Sequence, residues 1–382
     1  MMRFQGFFVL SKLYALVYGA ALWQAGTTPH PEQSLTLQFY LNMPNVDQAL
    51  ERLQHVSTPG SGCYGQYLTH AQLEAVIAPS NESDHAIMTW LESAGLTQVR
   101  KASRVYSLIS TVEEASTLLN TTFFWYEHIE GTMLLRPAAY SLPEHVSDHI
   151  ELVTPTTYLP SLNSIAPVVP VPDAALSPRA VSFSCKDGPL SPTCLKQMYN
   201  ITYGYTPNNT SGSRLGFTAF LSQTSRAADL KLYQEKYNLP LSNYSSININ
   251  NASTDQSTAG QHGEANLDVQ VLSALAHPLP ITEILTGGSP PFIPNLDLPN
   301  ATSNTNEPYL DYLNYIINLS DDDLPQVLSS SYGDYEQTVP ADYARTVCNM
   351  IGLMSLRGVT MLESSGDVGG RSYYPKFRKL AD

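Results

Sequence analysis

Two rhythms of apolar residues divide the chain. Between positions 34 and 155, short alternating runs are mixed with helical spacing. Residues 34–41 alternate apolar and polar positions, which predicts a strand. Residues 46–55 repeat every three to four positions and predict a helix, with Asp47 near its start. A second helix is expected over 84–94, stopped by Gly95, then a strand over 105–110, a helix over 112–119 and a strand over 123–128. This mixture predicts an α+β unit with an antiparallel sheet.

From Gly212 onward the pattern becomes a regular alternation. Strands are expected over 215–221, 246–250, 281–286, 325–331 and 359–364. Helices are expected over 227–237, 264–276, 308–319 and 341–357. Strand-helix alternation predicts an α/β unit, a parallel sheet with helices on both faces. Ligands of such sheets sit beyond the carboxyl ends of the strands, where Gly333 and Asp367 fall. Between the two units, prolines recur at 160, 167, 170, 172 and 178, with Arg179 as the one basic residue. Residues 156–183 therefore read as an exposed linker, where proteolysis concentrates.

Composition narrows the partners. Only 14% of residues are charged, and 34 acids against 20 bases give a formal charge of -14. No basic stripe exists to neutralise phosphates, so nucleic acid is excluded as a partner. Few ionisable groups also means few that change charge in acid, which suits an acidic working pH. Arg3 followed by an apolar run from Phe7 to Trp23, with Gly19, Ala20 and Ala21 as small residues for cleavage, reads as a signal peptide over 1–23, although Lys12 interrupts the run. No later stretch is apolar for long enough to predict a membrane span. Asn-X-Ser/Thr sequons stand at Asn81, Asn120, Asn200, Asn208, Asn209, Asn243, Asn251, Asn300 and Asn318. Their density favours a glycosylated, secreted, extracellular protein. In that oxidising setting Cys185 and Cys194, which bracket a short proline-containing loop, are the expected disulfide, while Cys63 and Cys348 lie far apart.

Chemistry centres on Gly263-Glu264-Ala265-Asn266-Leu267-Asp268. On a helix Glu264 and Asp268 share a face. Acids in a first helical turn are commonly there for the helix dipole alone. As chemistry, two close carboxyls cannot both ionise easily, so one holds a proton while the other accepts one. Such a pair can activate a hydroxyl at a pH where histidine is protonated and useless as a base. A protonated Asp367, in Ser364-Ser365-Gly366-Asp367, can donate to a developing oxyanion. His262 ranks below the carboxylates as a base, since a loop histidine commonly faces solvent.

These residues, with their surroundings, resemble the sedolisin family of secreted serine-carboxyl peptidases, in particular its fungal tripeptidyl-peptidase-like members. Tyr64-Gly65-Gln66-Tyr67-Leu68-Thr69, Trp90-Leu91 and Tyr140-Ser141-Leu142-Pro143 resemble the family's activation propeptide. Residues 192–201, Ser329-Ser330-Ser331-Tyr332-Gly333-Asp334-Tyr335-Glu336 and Arg357-Gly358-Val359 resemble its catalytic domain. The resemblance implies a ferredoxin-like propeptide over 24–155, a linker over 156–183 cut near Arg179, and the N-terminal part of a subtilisin-like catalytic domain over 184–382. It implies that Glu264 is the general base, that Asp268 orients it, and that Asp367 lines the oxyanion hole. Ser331, Tyr332 and Gly333 would pair with the backbone of a peptide or protein substrate as an edge strand. The propeptide would inhibit its own catalytic domain until acid weakens their contacts. A calcium ion belongs to the family, with ligands expected beyond Asp382.

The family's nucleophile lies in a Gly-Thr-Ser motif, which these 382 residues do not contain. After Gly370 the sequence turns locally basic and leaves the family pattern. The expectation is therefore a C-terminally truncated, catalytically silent version of an acid serine peptidase. The alternative is a dead fragment whose propeptide inhibits or helps fold a related peptidase. A general surface-binding glycoprotein rests only on tyrosine content and sequons.

Overall fold

The computed structural model describes residues 23–128, 133–157, 190–201, 212–288, 306–333 and 338–366. Twelve strands are found among them: β1 (Trp23–Ala25), β2 (Ser34–Leu41), β3 (Val99–Ala102), β4 (Val105–Thr111), β5 (Phe123–His128), β6 (Met133–Pro137), β7 (Ile150–Thr154), β8 (Leu215–Ala219), β9 (Ser245–Ile249), β10 (Ile281–Thr286), β11 (Val327–Ser330) and β12 (Thr360–Glu363).

The first unit is built on an antiparallel sheet in the order β3-β4-β2-β7. Helices Val46–Ser57, His70–Ile77 and Asn81–Ser93 lie between β2 and β3, and Val112–Leu118 follows β4. This β-α-β-β-α-β succession, with its first strand paired to the third and fourth, is the ferredoxin-like arrangement. Alternation along β2 sends Leu37, Phe39 and Leu41 into a core with Ile87, Trp90, Tyr106 and Leu108. The sequence reading missed the His70–Ile77 helix, although Thr69 and Gln72 form a capping box at its start. It also missed the exposed edge strand β3 and the short strands β1, β6 and β7.

The second unit carries a five-stranded, wholly parallel sheet in the order β12-β11-β8-β10-β9. From β8 the chain passes to the edge strand β9, returns to insert β10 between them, then crosses to the other side of β8 for β11 and β12. Phe217, Ala219, Ile281 and Leu285 face one side and pack with Leu230 and Val269 of helices Ala227–Lys236 and Gly263–Ala276. Phe220, Ile284 and Leu328 face the other, against Leu313 and Leu353 of helices Tyr309–Ile317 and Ala341–Leu356. The expected α/β sheet with helices on both faces is thus present.

That second face is also where the first unit docks. Tyr40, Val56, Leu68 and Leu73 share one core with Tyr312, Leu353 and Met354. The Val46–Ser57 and Ala341–Leu356 helices approach so closely that a Cβ on Gly352 would lie 2.4 Å from a methyl of Leu50. Polar ties flank the apolar contact. Asn314 donates to Tyr40 Oη at 2.8 Å, and Leu68 N–H donates to the Leu356 carbonyl at 2.9 Å. Asp321 accepts from Arg357 at 2.7 Å and from the His70 amide at 2.9 Å. Arg357, fully buried, also donates to the Ile317 carbonyl at 2.8 Å.

Candidate active site

The Gly263–Ala276 helix runs from β9 to β10, so its first turn lies at the edge where the parallel strands end. Glu264, half-buried, sits in that turn, and Asp268 follows one turn on, only 9% exposed. The two carboxylates therefore occupy one helical face. Ser331, just past the end of β11, reaches across and donates to Asp268 Oδ1 at 2.6 Å. Asp268 Oδ2 has no hydrogen-bond partner among the described residues.

Burial is the main force on Asp268. It lifts the carboxyl from 3.8 to about 7; the Ser331 hydroxyl opposes the rise and the charge on Glu264 adds to it. Below neutral pH Asp268 thus keeps its proton, beside a second carboxyl one turn away. That is the division of labour that acid–base chemistry requires.

A tyrosine the sequence reading missed organises the opposite wall. Tyr309 Oη lies 2.9 Å from Ser330 Oγ, 2.9 Å from the Tyr332 carbonyl and 3.0 Å from Glu363 Oε2. It pins the segment that carries Ser331, Tyr332 and Gly333. Desolvation beside Tyr309 raises the Glu363 carboxyl above its usual value. No one-dimensional signal marks Tyr309, because its three partners come from two other strands and a loop.

His262 departs from the sequence reading. It is half-buried, and both ring nitrogens meet backbone carbonyls, those of Thr224 and Ser257. Asp367 lies outside the described residues, as do Cys185, Arg179, Asn208, Asn209 and Asn300. Cys194 is disulfide-bonded, whereas Cys63 and Cys348 are free and exposed. Asn81, Asn120, Asn200, Asn243, Asn251 and Asn318 are all exposed. Among the described residues, no group of three or more His, Cys, Asp or Glu is placed to hold a metal ion. No described helix is long and apolar enough to cross a membrane.

Comparison with known proteins shows what the chain is similar to. Residues 21–159 match the family described as Pro-kumamolisin, activation domain. Over 367 residues the chain is 42% identical to tripeptidyl-peptidase sed4 of Aspergillus fumigatus, covering 94% of this chain and 60% of that protein. It is 29% identical over 354 residues to a probable tripeptidyl-peptidase SED3 of Trichophyton verrucosum, covering 91% and 59%. A structure of Pseudomonas sedolisin, a serine-carboxyl proteinase, aligns over 48% of this chain and 46% of its own at 18% identity and a TM-score of 0.33, too low to bear on the fold. The chain is thus similar to tripeptidyl-peptidases of the sedolisin family over most of its length, and residues 21–159 match a Pro-kumamolisin activation domain. It spans about 60% of the length of the curated relatives it matches.

Proposed function

We propose that this chain supplies the acid–base half of a secreted serine peptidase that works in acid and releases tripeptides from the N-termini of peptide substrates. The observation that carries the reading is the Glu264–Asp268 pair, with Asp268 buried, bonded to Ser331 and protonated below about pH 7.

In this reading a serine from a Gly-Thr-Ser segment outside these 382 residues is the nucleophile. Glu264 takes its proton as the hydroxyl attacks the scissile carbonyl, and Asp268 holds and tunes Glu264. Asp367 donates to the oxyanion. The proton on Glu264 then passes to the leaving amine, and water repeats the cycle on the acyl-enzyme. Ser331, Tyr332 and Gly333 lie past the end of β11 and would pair with the substrate backbone, held in place by Tyr309. Residues 24–155 serve as the inhibitory propeptide, and cleavage near Arg179 releases them. Calcium would be held by residues outside this sequence, and no step is routed through it. Exposure of the described sequon asparagines supports glycosylation and secretion.

The test is tripeptide release from a tripeptidyl anilide at pH 3–6 by the enzyme expressed from the intact gene. Glu264→Gln should cost roughly 10²–10⁴-fold in kcat, the usual worth of a general base. Full activity in that variant would sink the assignment. The 382-residue chain assayed alone should release nothing.

A second reading has its own support. One core of the first unit is made only of residues between 35 and 153, while Val56, Leu68 and Leu73 pack in a core shared with the second unit. Acting in trans, the first unit would inhibit a related peptidase. Residues 24–155 expressed alone, mixed with an active sedolisin, would decide it: unchanged turnover at saturating concentration removes this reading.

A further inference from the structure

We infer that His262 is a positioning residue: a two-ended clasp, complete only when its ring carries protons on both nitrogens, that fixes the start of the helix bearing Glu264 and Asp268. Nδ1 lies 2.8 Å from the Thr224 carbonyl and Nε2 lies 2.6 Å from the Ser257 carbonyl. Carbonyl oxygens carry no hydrogen, so each contact is a hydrogen bond only if the nitrogen donates. A neutral imidazole has one N–H and one lone pair. It would satisfy one carbonyl and aim its lone pair at the other across a hydrogen-bonding distance. The imidazolium satisfies both.

The two carbonyls belong to separate segments that converge on the helix. Thr224, fully buried, precedes the Ala227–Lys236 helix, and its own N–H donates to the Gln261 carbonyl at 3.0 Å. The neighbouring Gln223 accepts from the Glu264 N–H through Oε1 at 3.3 Å. His262 thus joins both walls of the loop from which Glu264 emerges. The loop passes close to the ring: a Cβ on Gly260 would stand 2.8 Å from Nε2 and 2.6 Å from Asp255 Oδ2.

The charged neighbours come from every packed element. Asp255, on the ring's own loop, is held below its usual range first by the Ser257 amide and hydroxyl, and further by the His262 charge. Glu264 follows two residues on. The Arg226–Asp229 ion pair, at 2.8 Å, stands at the start of the Ala227–Lys236 helix. Glu283 of β10 accepts from the Ser225 amide at 2.5 Å. The clasp is made while the ring carries both protons and opens on loss of the second one. In the reading proposed above it would hold Glu264 in place in acid, but the clasp itself does not depend on peptidase activity.

The test is made on the unmodified 382-residue chain. Histidine ring nitrogens are observed by ¹⁵N NMR from pH 4.5 to 8.5, with backbone amide exchange at Thr224 and Glu264 followed alongside. His262→Gln assigns the ring signals; should that variant not fold, through-bond connection from the His262 amide assigns them instead. The expected result at pH 5 is an imidazolium whose two N–H protons both exchange slowly. As the ring loses a proton, exchange at Thr224 and Glu264 should quicken roughly tenfold, the scale of one charge-assisted hydrogen bond. A ring nitrogen without a proton at pH 5, or a ring that titrates while both amides stay unchanged, overturns the inference. Peptide hydrolysis enters neither arm, so failure of the clasp and failure of the peptidase reading are told apart.

Discussion

Asp268 shows how far one position depends on its surroundings. Its folded value near 7 stands above the ordinary 3.8, because burial penalises the charge. The folded protein therefore binds this proton more tightly than the unfolded chain does. The resulting stabilisation is complete below about pH 3.8 and lost as pH rises through 7. Asp311, raised to about 6 by burial, acts in the same direction. Unfolding midpoints should thus fall between pH 5 and 8. Asp268→Asn should remove part of that fall, on the order of 1–3 kcal/mol, as measured by urea unfolding at the two pH values. Ser331→Ala deletes the one bond that lowers Asp268, so its carboxyl should titrate higher still by ¹³C NMR.

Elements explain why the two units meet where they do. The Ala341–Leu356 helix is apolar on the face turned to the sheet, through Leu353 and Met354, and presents Gly352 to Leu50 and Leu53 on the Val46–Ser57 helix. A side chain there would displace the Leu50 side chain from its place against the helix. Gly352→Val should cost about 1–3 kcal/mol of overpacking and speed proteolytic release of residues 24–155, read by limited digestion. Both helices were legible from their spacing. Their mutual contact was not, since a helical glycine usually signals only lower propensity.

For the molecule as a whole, the contact between units is both apolar and charged, and only the charged part responds to acid. Asp321 is held below its usual range, first by the Arg357 guanidinium and also by the His70 amide. Its contribution is present above the ordinary carboxylate value and lost as pH falls through the depressed one. Asp321→Asn should loosen the first unit at pH 5–7, and the difference from the parent should shrink as pH falls through the depressed Asp321 value, as measured by hydrogen exchange at Leu68 and His70.

The chain's periodicity by itself determined that an antiparallel α+β unit precedes a parallel α/β sheet, and its residue spacing put Glu264 and Asp268 on one helical face. Those are local facts, written in neighbours three or four apart. Short edge strands such as β3 escaped, because four mostly exposed residues carry too little alternation to stand out. Only the tertiary structure brought Ser331 to Asp268, Tyr309 to Glu363, and the carbonyls of Thr224 and Ser257 to His262. Asp268 and Ser331 are 63 positions apart, and the charge state of the carboxyl depends on which surfaces close over it. Burial is a property of the packed molecule, so sequence can nominate a carboxylate while packing decides whether it keeps its proton.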